Sequence, residues 1–449
     1  MSLENIEVGI LFAPIIRFRL NGQFQTNGEI LTGEYTAEKR DGHIVLLGTG
    51  GERIITDGFT LSPKGDEATF DLLDVTIGIH FHWERREEQR FRGTLKILDE
   101  GQHLTAVNII PLEEYLTSVI SSEMSATSSR ELLKAHAVIS RSWLLAQKIN
   151  KGTKSKGLDS CQQNEGEYIR WFDREDHERF DVCADDHCQR YQGISRAYTP
   201  AVQEAIDATR GEILTYQDEI CDARFSKCCG GITERFESAW EDTPHPYLRR
   251  IADSEEEEGL AGDLHQETEA RKWILSSPDV FCNTTDKQIL SNVLNDYDQE
   301  TQDFFRWKVS YTTEELSHLV KEKLGMDFGQ ITDLEVVERG ESGRIIRLRI
   351  TGTRRTLIIG KELLIRKALS PSHLYSSAFV VDKETDAAGT PLRFTLRGAG
   401  WGHGVGLCQI GSAVMSAKGH SYRQILAHYF PGSQIEQLAS WKKTKTQNQ

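Results

Sequence analysis

Apolar residues recur along this chain with two different periods. Between residues 5 and 110 the short apolar runs VGILF, EILTGEY, HIVLLG, RIITDG, VTIGIHFHW and GTLKIL are broken by Gly, Asn and Asp. That spacing predicts β-strands joined by tight turns, with no long helix. His80 and His82 alternate around Phe81 and share one strand face, either as paired metal ligands or, with no third ligand near in sequence, as a solvated face. At Pro111 the period changes to three and four residues: Leu112, Tyr115, Leu116, Val119 and Ile120 form one helical stripe. Pro111 suits the helix start because its missing N–H would be unpaired there, and Glu113 and Glu114 place negative charge in the first turn. The next position on the stripe is Glu123. An acid on a core-facing stripe is expected to be partly desolvated, which disfavours its charged form and prepares a general acid; the plain alternative is a solvated helix end.

A second helix is predicted at once. Ser128 and Glu131 have capping-box spacing, and Leu132 to Leu145 is apolar on nearly every side, as in a buried helix. His136, Ser140 and Arg141 are its polar exceptions. A buried Arg needs an acidic partner, and a carboxylate near the start of the same hairpin is the natural one.

Further on, residues 152–193 read as loop, Pro200 to Thr209 as a short helix, and GEILTY and CDARFS as strands. The run SEEEE from Ser254 marks an insertion boundary, followed by a polar, helical segment. Thr312 to Leu324 has helical period, and residues 332–360 alternate as strands. A strand RFTLRG leads into GAGWGHGVG, then helices at about Leu407 to Lys418 and over SYRQILAHYF. The expected division is a β-rich region at 1–104, a catalytic core at 105–250 and 326–440 interrupted by an acidic insertion at 251–325, and a disordered tail at 441–449. The fold class is α+β: a mixed helical and antiparallel β body with a cleft, preceded by the β-rich N-terminal region.

Bulk properties narrow the function. The 449 residues, 38% of them hydrophobic, suffice for two or three domains. A net charge of −15 argues against nucleic acid as the main partner. No run of eighteen apolar residues exists, so no transmembrane segment is expected. The start is a poor signal peptide: no basic segment precedes its apolar residues, so the protein either stays inside or has lost a leader. Eight cysteines spread through so long a chain do not make a small disulfide scaffold, and the redox compartment stays open.

Three groups of residues carry candidate chemistry. His177, Cys183, His187 and Cys188 suit a closed, structural zinc site, with a Cys183–Cys188 disulfide as the alternative. Gly398, Gly400, Gly402, Gly404 and Gly406 alternate with Ala399, Trp401, His403 and Val405. If extended, this segment bares one glycine face to a ligand, with Trp401 and His403 on the other; tight packing is the equal alternative. Gln409, just beyond, is placed to hydrogen-bond a ligand. Gly230 and Gly231 follow Phe225, Ser226 and Lys227. Ser226 lacks a His or Asp pattern, which excludes a hydrolase triad, whereas Lys227 suits developing negative charge on a leaving oxygen. A thiol nucleophile at Cys228 is a further, lesser option.

The segments NIIPLEEYLTSVISSEM, LLKAHAVISRSW, HCQRYQG, ATRGEIL, CCGGITERFESAW, GAGWGHGVGLCQIG and ILAHYFPG, in this order, resemble the SpoIID/LytB family, named for stage II sporulation protein D and an amidase enhancer. The resemblance runs from about Phe91 to Leu438, outside the acidic insertion. It implies a peptidoglycan lytic transglycosylase that cuts peptide-free glycan strands and leaves 1,6-anhydro-N-acetylmuramic acid ends. It makes Glu123 the catalytic acid and base, Arg141 its essential arginine, and His177, Cys183, His187 and Cys188 zinc ligands. It implies that the glycine-rich motif matching Gly402 to Gln409 lines the cleft and that the protein works in the cell envelope, and Trp401, His403, Gln409, Ser226 and Lys227 are the residues expected to bind substrate. The alternative within the same family is a non-catalytic, glycan-binding enhancer of a cell-wall amidase. Three departures stand out: Ser125 where proline is common, two cysteines before Gly230, and the acidic insertion.

Overall fold

The computed structural model describes residues 3–48, 51–55, 58–77, 85–124, 128–151, 159–172, 177–185, 187–195, 199–256, 259–293 and 304–447. His80, His82 and Ser125 lie outside the described residues. The chain divides into two compact units, one of residues up to Lys151 with His177–Glu212, the other of Gly152–Asp176 with Ile213–Gln449. Both mix helices with largely antiparallel sheets, the expected α+β class.

The first unit is built on an eleven-stranded sheet among the described residues. Its strands alternate as their sequences do: Ile16, Phe18 and Leu20 are buried while Arg17 and Arg19 face outward. Asn5–Ala13 lies between Leu104–Pro111, antiparallel, and the short Val182–Cys183, parallel. The boundary expected at residue 104 does not separate compact units. Leu104–Pro111 is a central strand of the N-terminal sheet, and it runs directly into helix Leu112–Glu123. Pro111 is the N-cap, and Leu112, Tyr115, Leu116, Val119 and Ile120 are buried. The second helix spans Arg130–Asn150. Its cap is Ser129 rather than Ser128, with the Ser129 side chain accepting from the Leu132 N–H, so Glu131 falls one position short of a capping box.

The second unit holds a five-stranded sheet in the order Cys161–Gln163, Glu167–Arg170, Thr356–Gly360, Ile345–Gly352, Ile331–Arg339. A separate three-stranded sheet sets Pro391–Ala399 between Arg306–Thr312 and Phe379–Thr385. Helix Thr313–Leu324 carries a full capping box from Thr312 and Glu315 and ends at Gly325 in the left-handed region. It buries Leu316 and Val320 in a core shared with Phe328, Leu348, Phe379 and Phe394.

Two expectations are corrected here. Residues 306–324 belong to the body of this unit and not to an insertion, because their strand pairs along its length with Pro391–Ala399. Nor is the tail from residue 441 disordered as far as it is described. Helix Leu438–Gln447 is anchored by Trp441, whose ring is 8% exposed and whose Nε1–H donates to the Asp218 carbonyl at 2.8 Å.

Candidate functional site

Glu123 is the last residue of its helix and is half-buried. Its Oε1 accepts the Arg190 backbone N–H at 2.8 Å. The strand of loop carrying Arg190 is fixed on both sides: the Tyr191 hydroxyl donates to Asn108, the Gln192 N–H donates to Ser118, and the Tyr191 and Tyr115 rings stack at 5.1 Å. The acid is therefore held from a second segment as well as from its own helix.

Arg141 is fully buried, and its guanidinium forks onto Glu113, with Nε to Oε1 at 3.0 Å and Nη2 to Oε2 at 2.7 Å. Nη1 donates to the Glu212 carbonyl at 2.9 Å and to that of Ala137 at 3.4 Å. The arginine that the resemblance makes essential thus pairs with Glu113 and not with Glu123. Its planar fork fits one carboxylate, and the acid at the first turn of the preceding helix fills it. Glu113 is the carboxylate near the start of the hairpin that a buried arginine was expected to need.

In the same unit His177, Cys183, His187 and Cys188 converge, with one ligand atom from each lying within 4.8 Å of the others. Cys188 Sγ is 3.5 Å from His177 Nε2 and 3.5 Å from His187 Nδ1. Neither thiol is in a disulfide. Cys188, hydrogen-bonded to Cys183, holds the Cys183 thiol far below the ordinary thiol range, against burial and with help from the two imidazoles. Two imidazoles, a thiolate and a second thiol with this spacing fit a closed tetrahedral zinc site. Val182–Cys183 pairs with the first strand, and Asp181 takes Lys148 Nζ, so the cluster is tied to the sheet and to the second helix.

The second unit brings together two segments that were separate in sequence. Phe225–Ser226 pairs parallel with Leu407–Cys408, and Cys228 bridges to Trp401. The glycine run is not an extended strand. Gly400, Gly402, Gly404 and Gly406 all have positive φ, so the backbone turns at alternate residues. Their role is close packing: a Cβ on Gly404 would sit 2.3 Å from the Arg344 guanidinium, and one on Gly406 would sit 2.1 Å from the Arg224 carbonyl oxygen. Arg344, 1% exposed and not singled out by any sequence pattern, donates to the carbonyls of Gly402 and Cys229.

Trp401 is half-buried, with one face stacked on Phe304 at 4.9 Å and Tyr375 edge-on. His403 is half-buried, like Trp401, and its ring lies beside Trp240 at 4.6 Å. Nδ1 accepts the Val405 N–H, and the ring also bonds the Phe225 backbone. Burial, then the nearby Arg224, Arg344 and Arg366, pushes its pKa well below the usual value, so the ring is neutral. Gln409 is 2% exposed at the start of its helix, Lys227 is half-buried, and the buried Ser226 Oγ has no hydrogen-bond partner among the described residues. Cys228 is fully buried and burial pushes its thiol well up, which removes it as a nucleophile.

Residues 100–216 match the sequence model of the stage II sporulation protein (SpoIID) family, the stretch that contains Glu123, Arg141 and the histidine–cysteine cluster. The chain carries a SpoIID domain. Residues 234–406 match a second model, a domain of unknown function (DUF8618), which spans both the acidic segment and the glycine run through Gly406. Over 334 residues the chain is 23% identical to stage II sporulation protein D of Bacillus subtilis, covering 74% of this chain and 76% of that protein. It is 25% identical over 345 residues to an uncharacterized protein of Brachyspira hyodysenteriae, covering 77% of this chain and 72% of the relative. It is 24% identical over 338 residues to the amidase enhancer of Bacillus subtilis, covering 71% of this chain and 40% of the enhancer. The resemblance to the SpoIID/LytB family read from the motifs therefore holds. Among the described residues, no helix is long and apolar enough to cross a membrane.

Proposed function

We propose that this protein acts on the bacterial cell wall in the cell envelope, as a peptidoglycan lytic transglycosylase with Glu123 as its acid and base. The observation that carries the reading is Glu123 itself, half-buried at a helix end within the SpoIID domain and steadied by the Arg190 N–H. As acid it protonates the oxygen linking N-acetylmuramic acid to N-acetylglucosamine. As base it takes the proton of the muramic C6 hydroxyl, which attacks C1 of the same sugar. Water-using glycosidases need two carboxylates; here the nucleophile belongs to the substrate, so one suffices. The Arg141–Glu113 pair acts as a positioning element that locks the hairpin whose first helix ends in Glu123. Zinc held by His177, Cys183, His187 and Cys188 is structural and supplies rigidity to the loop that presents Arg190. In the second unit the partly exposed Trp401 and Lys227 are proposed to contact sugar, with Gln409 and Ser226 behind them.

The test is to incubate peptide-free glycan strands with the full chain and weigh the products. Anhydro-ended fragments are expected from the parent, with a loss of about 10²–10⁴-fold for Glu123→Gln. The amidase-enhancer relative favours a second reading, stimulation of a cell-wall amidase by glycan binding. Parent protein that yields no fragments, yet accelerates an amidase equally well with Glu123→Gln, overturns the enzyme reading in favour of that one.

A further inference from the structure

Within the second unit, a second set of metal-ligating groups gathers from four distant stretches of chain. Cys229 Sγ, an Asp253 carboxylate oxygen, Cys282 Sγ and Cys408 Sγ all lie within 4.8 Å of one another. All four residues are 2% exposed or less. We infer that Cys229, Asp253, Cys282 and Cys408 form a buried tetrahedral site for one divalent, thiol-preferring cation, of which zinc is the first choice.

Geometry and chemistry agree on this. Zn–S bonds of about 2.3 Å in a tetrahedron place neighbouring sulfurs about 3.8 Å apart, and Cys229 Sγ lies 3.7 Å from Cys282 Sγ. A multi-iron cluster spreads the ligands of its different irons further apart than the 4.8 Å within which all four atoms lie here. None of the eight cysteines is in a disulfide, and a Cys229–Cys282 disulfide would give no reason for a third thiol and a buried carboxylate at the same point. The donors also carry the outer hydrogen bonds that orient metal ligands. Cys408 Sγ accepts from the N–H groups of Cys229 and Gly411, at 3.2 and 3.4 Å, and Cys229 Sγ accepts from Gly231 at 3.4 Å. Gly231 can turn its N–H back because its φ is +104°. Asp253 Oδ2 accepts the Cys282 N–H at 2.8 Å and Oδ1 accepts the Tyr429 hydroxyl, which leaves a lone pair on each oxygen. Three thiolates and a carboxylate exceed the charge of a divalent cation by two. The half-buried Arg306 guanidinium, which interacts electrostatically with Cys282 and Cys229, offsets part of that excess. A metal here would join two points of the acidic segment, Asp253 and Cys282, to the ends of the paired strands Phe225–Ser226 and Leu407–Cys408.

Metal content of the purified full chain tests the inference independently of any activity. About two zinc ions per chain are expected by elemental analysis and by native mass spectrometry of the parent. Cys183→Ser with Cys188→Ser should leave one, and adding Cys408→Ser should remove it. With cobalt(II) in place of zinc, the Cys183→Ser and Cys188→Ser variant should show thiolate charge-transfer and tetrahedral ligand-field bands, which Asp253→Asn alters and Cys228→Ser retains. Folding of each variant is checked by circular dichroism. A parent with no more than one zinc, lost entirely in the Cys183→Ser and Cys188→Ser variant, overturns the proposal. So does a Cys229–Cys282 disulfide in the unreduced protein. Loss of the second ion in Cys228→Ser, but not in Asp253→Asn, overturns the assigned donor set.

Discussion

The two metal-ligating clusters of this chain are assembled in opposite ways. His177, Cys183, His187 and Cys188 come from one loop, and the group reaches the surface at His187. Cys229, Asp253, Cys282 and Cys408 come from segments far apart in sequence, and all are buried. The first needs only a short loop to close, whereas the second forms only when the core of its unit has formed around it. A local cluster can therefore steady a functional loop at small cost to the fold. A dispersed one is part of the fold itself.

Four measurements press on that contrast. The largest effect is expected away from both clusters, at the buried ion pair of the helical hairpin. Glu113→Gln leaves the fully buried Arg141 uncompensated and should destabilise the first unit by about 3–5 kcal/mol in denaturant unfolding. Glu113→Leu combined with Arg141→Met should recover most of it. An unchanged midpoint for Glu113→Gln would mean that the pair does not lock the hairpin.

Next come the clusters themselves. Cys408→Ser should cost the second unit about 3 kcal/mol, through a disturbed core and two displaced N–H donors, while Cys188→Ser in the half-exposed loop should cost about 1 kcal/mol. Equal costs, or the reverse order, would break the distinction between a stapled loop and a core-embedded site. A smaller effect is expected on activity. Because the first cluster sits in the segment that presents the Arg190 N–H to Glu123, Cys188→Ser should slow product formation about tenfold, as for lost outer-shell support. Activity equal to the parent's would separate the cluster from the acid.

The smallest effect is a pH dependence confined to the second unit. The folded His403 ring resists protonation, while the unfolded chain binds a proton below its usual pKa near 6.5. The stability of the neutral ring is therefore present above pH 6.5 and is lost as pH falls, on the order of 1 kcal/mol per pH unit. His403→Phe should flatten this slope. A slope that persists in that variant would assign it to another group.

Sequence alone determined whatever depends on neighbours a few residues apart. The stripe ending at Glu123 predicted its helix, the alternation before residue 110 predicted strands, and the spacing from His177 to Cys188 predicted one cluster, because period and short-loop geometry are local properties. Tertiary structure decided the rest. It chose Glu113 as the carboxylate for Arg141, bent the glycine run around Arg344 and Arg224, set His403 beside Trp240 and drew Cys229, Asp253, Cys282 and Cys408 to one point. Each of those outcomes depends on which distant segments pack together, and no pattern within a single segment records that choice.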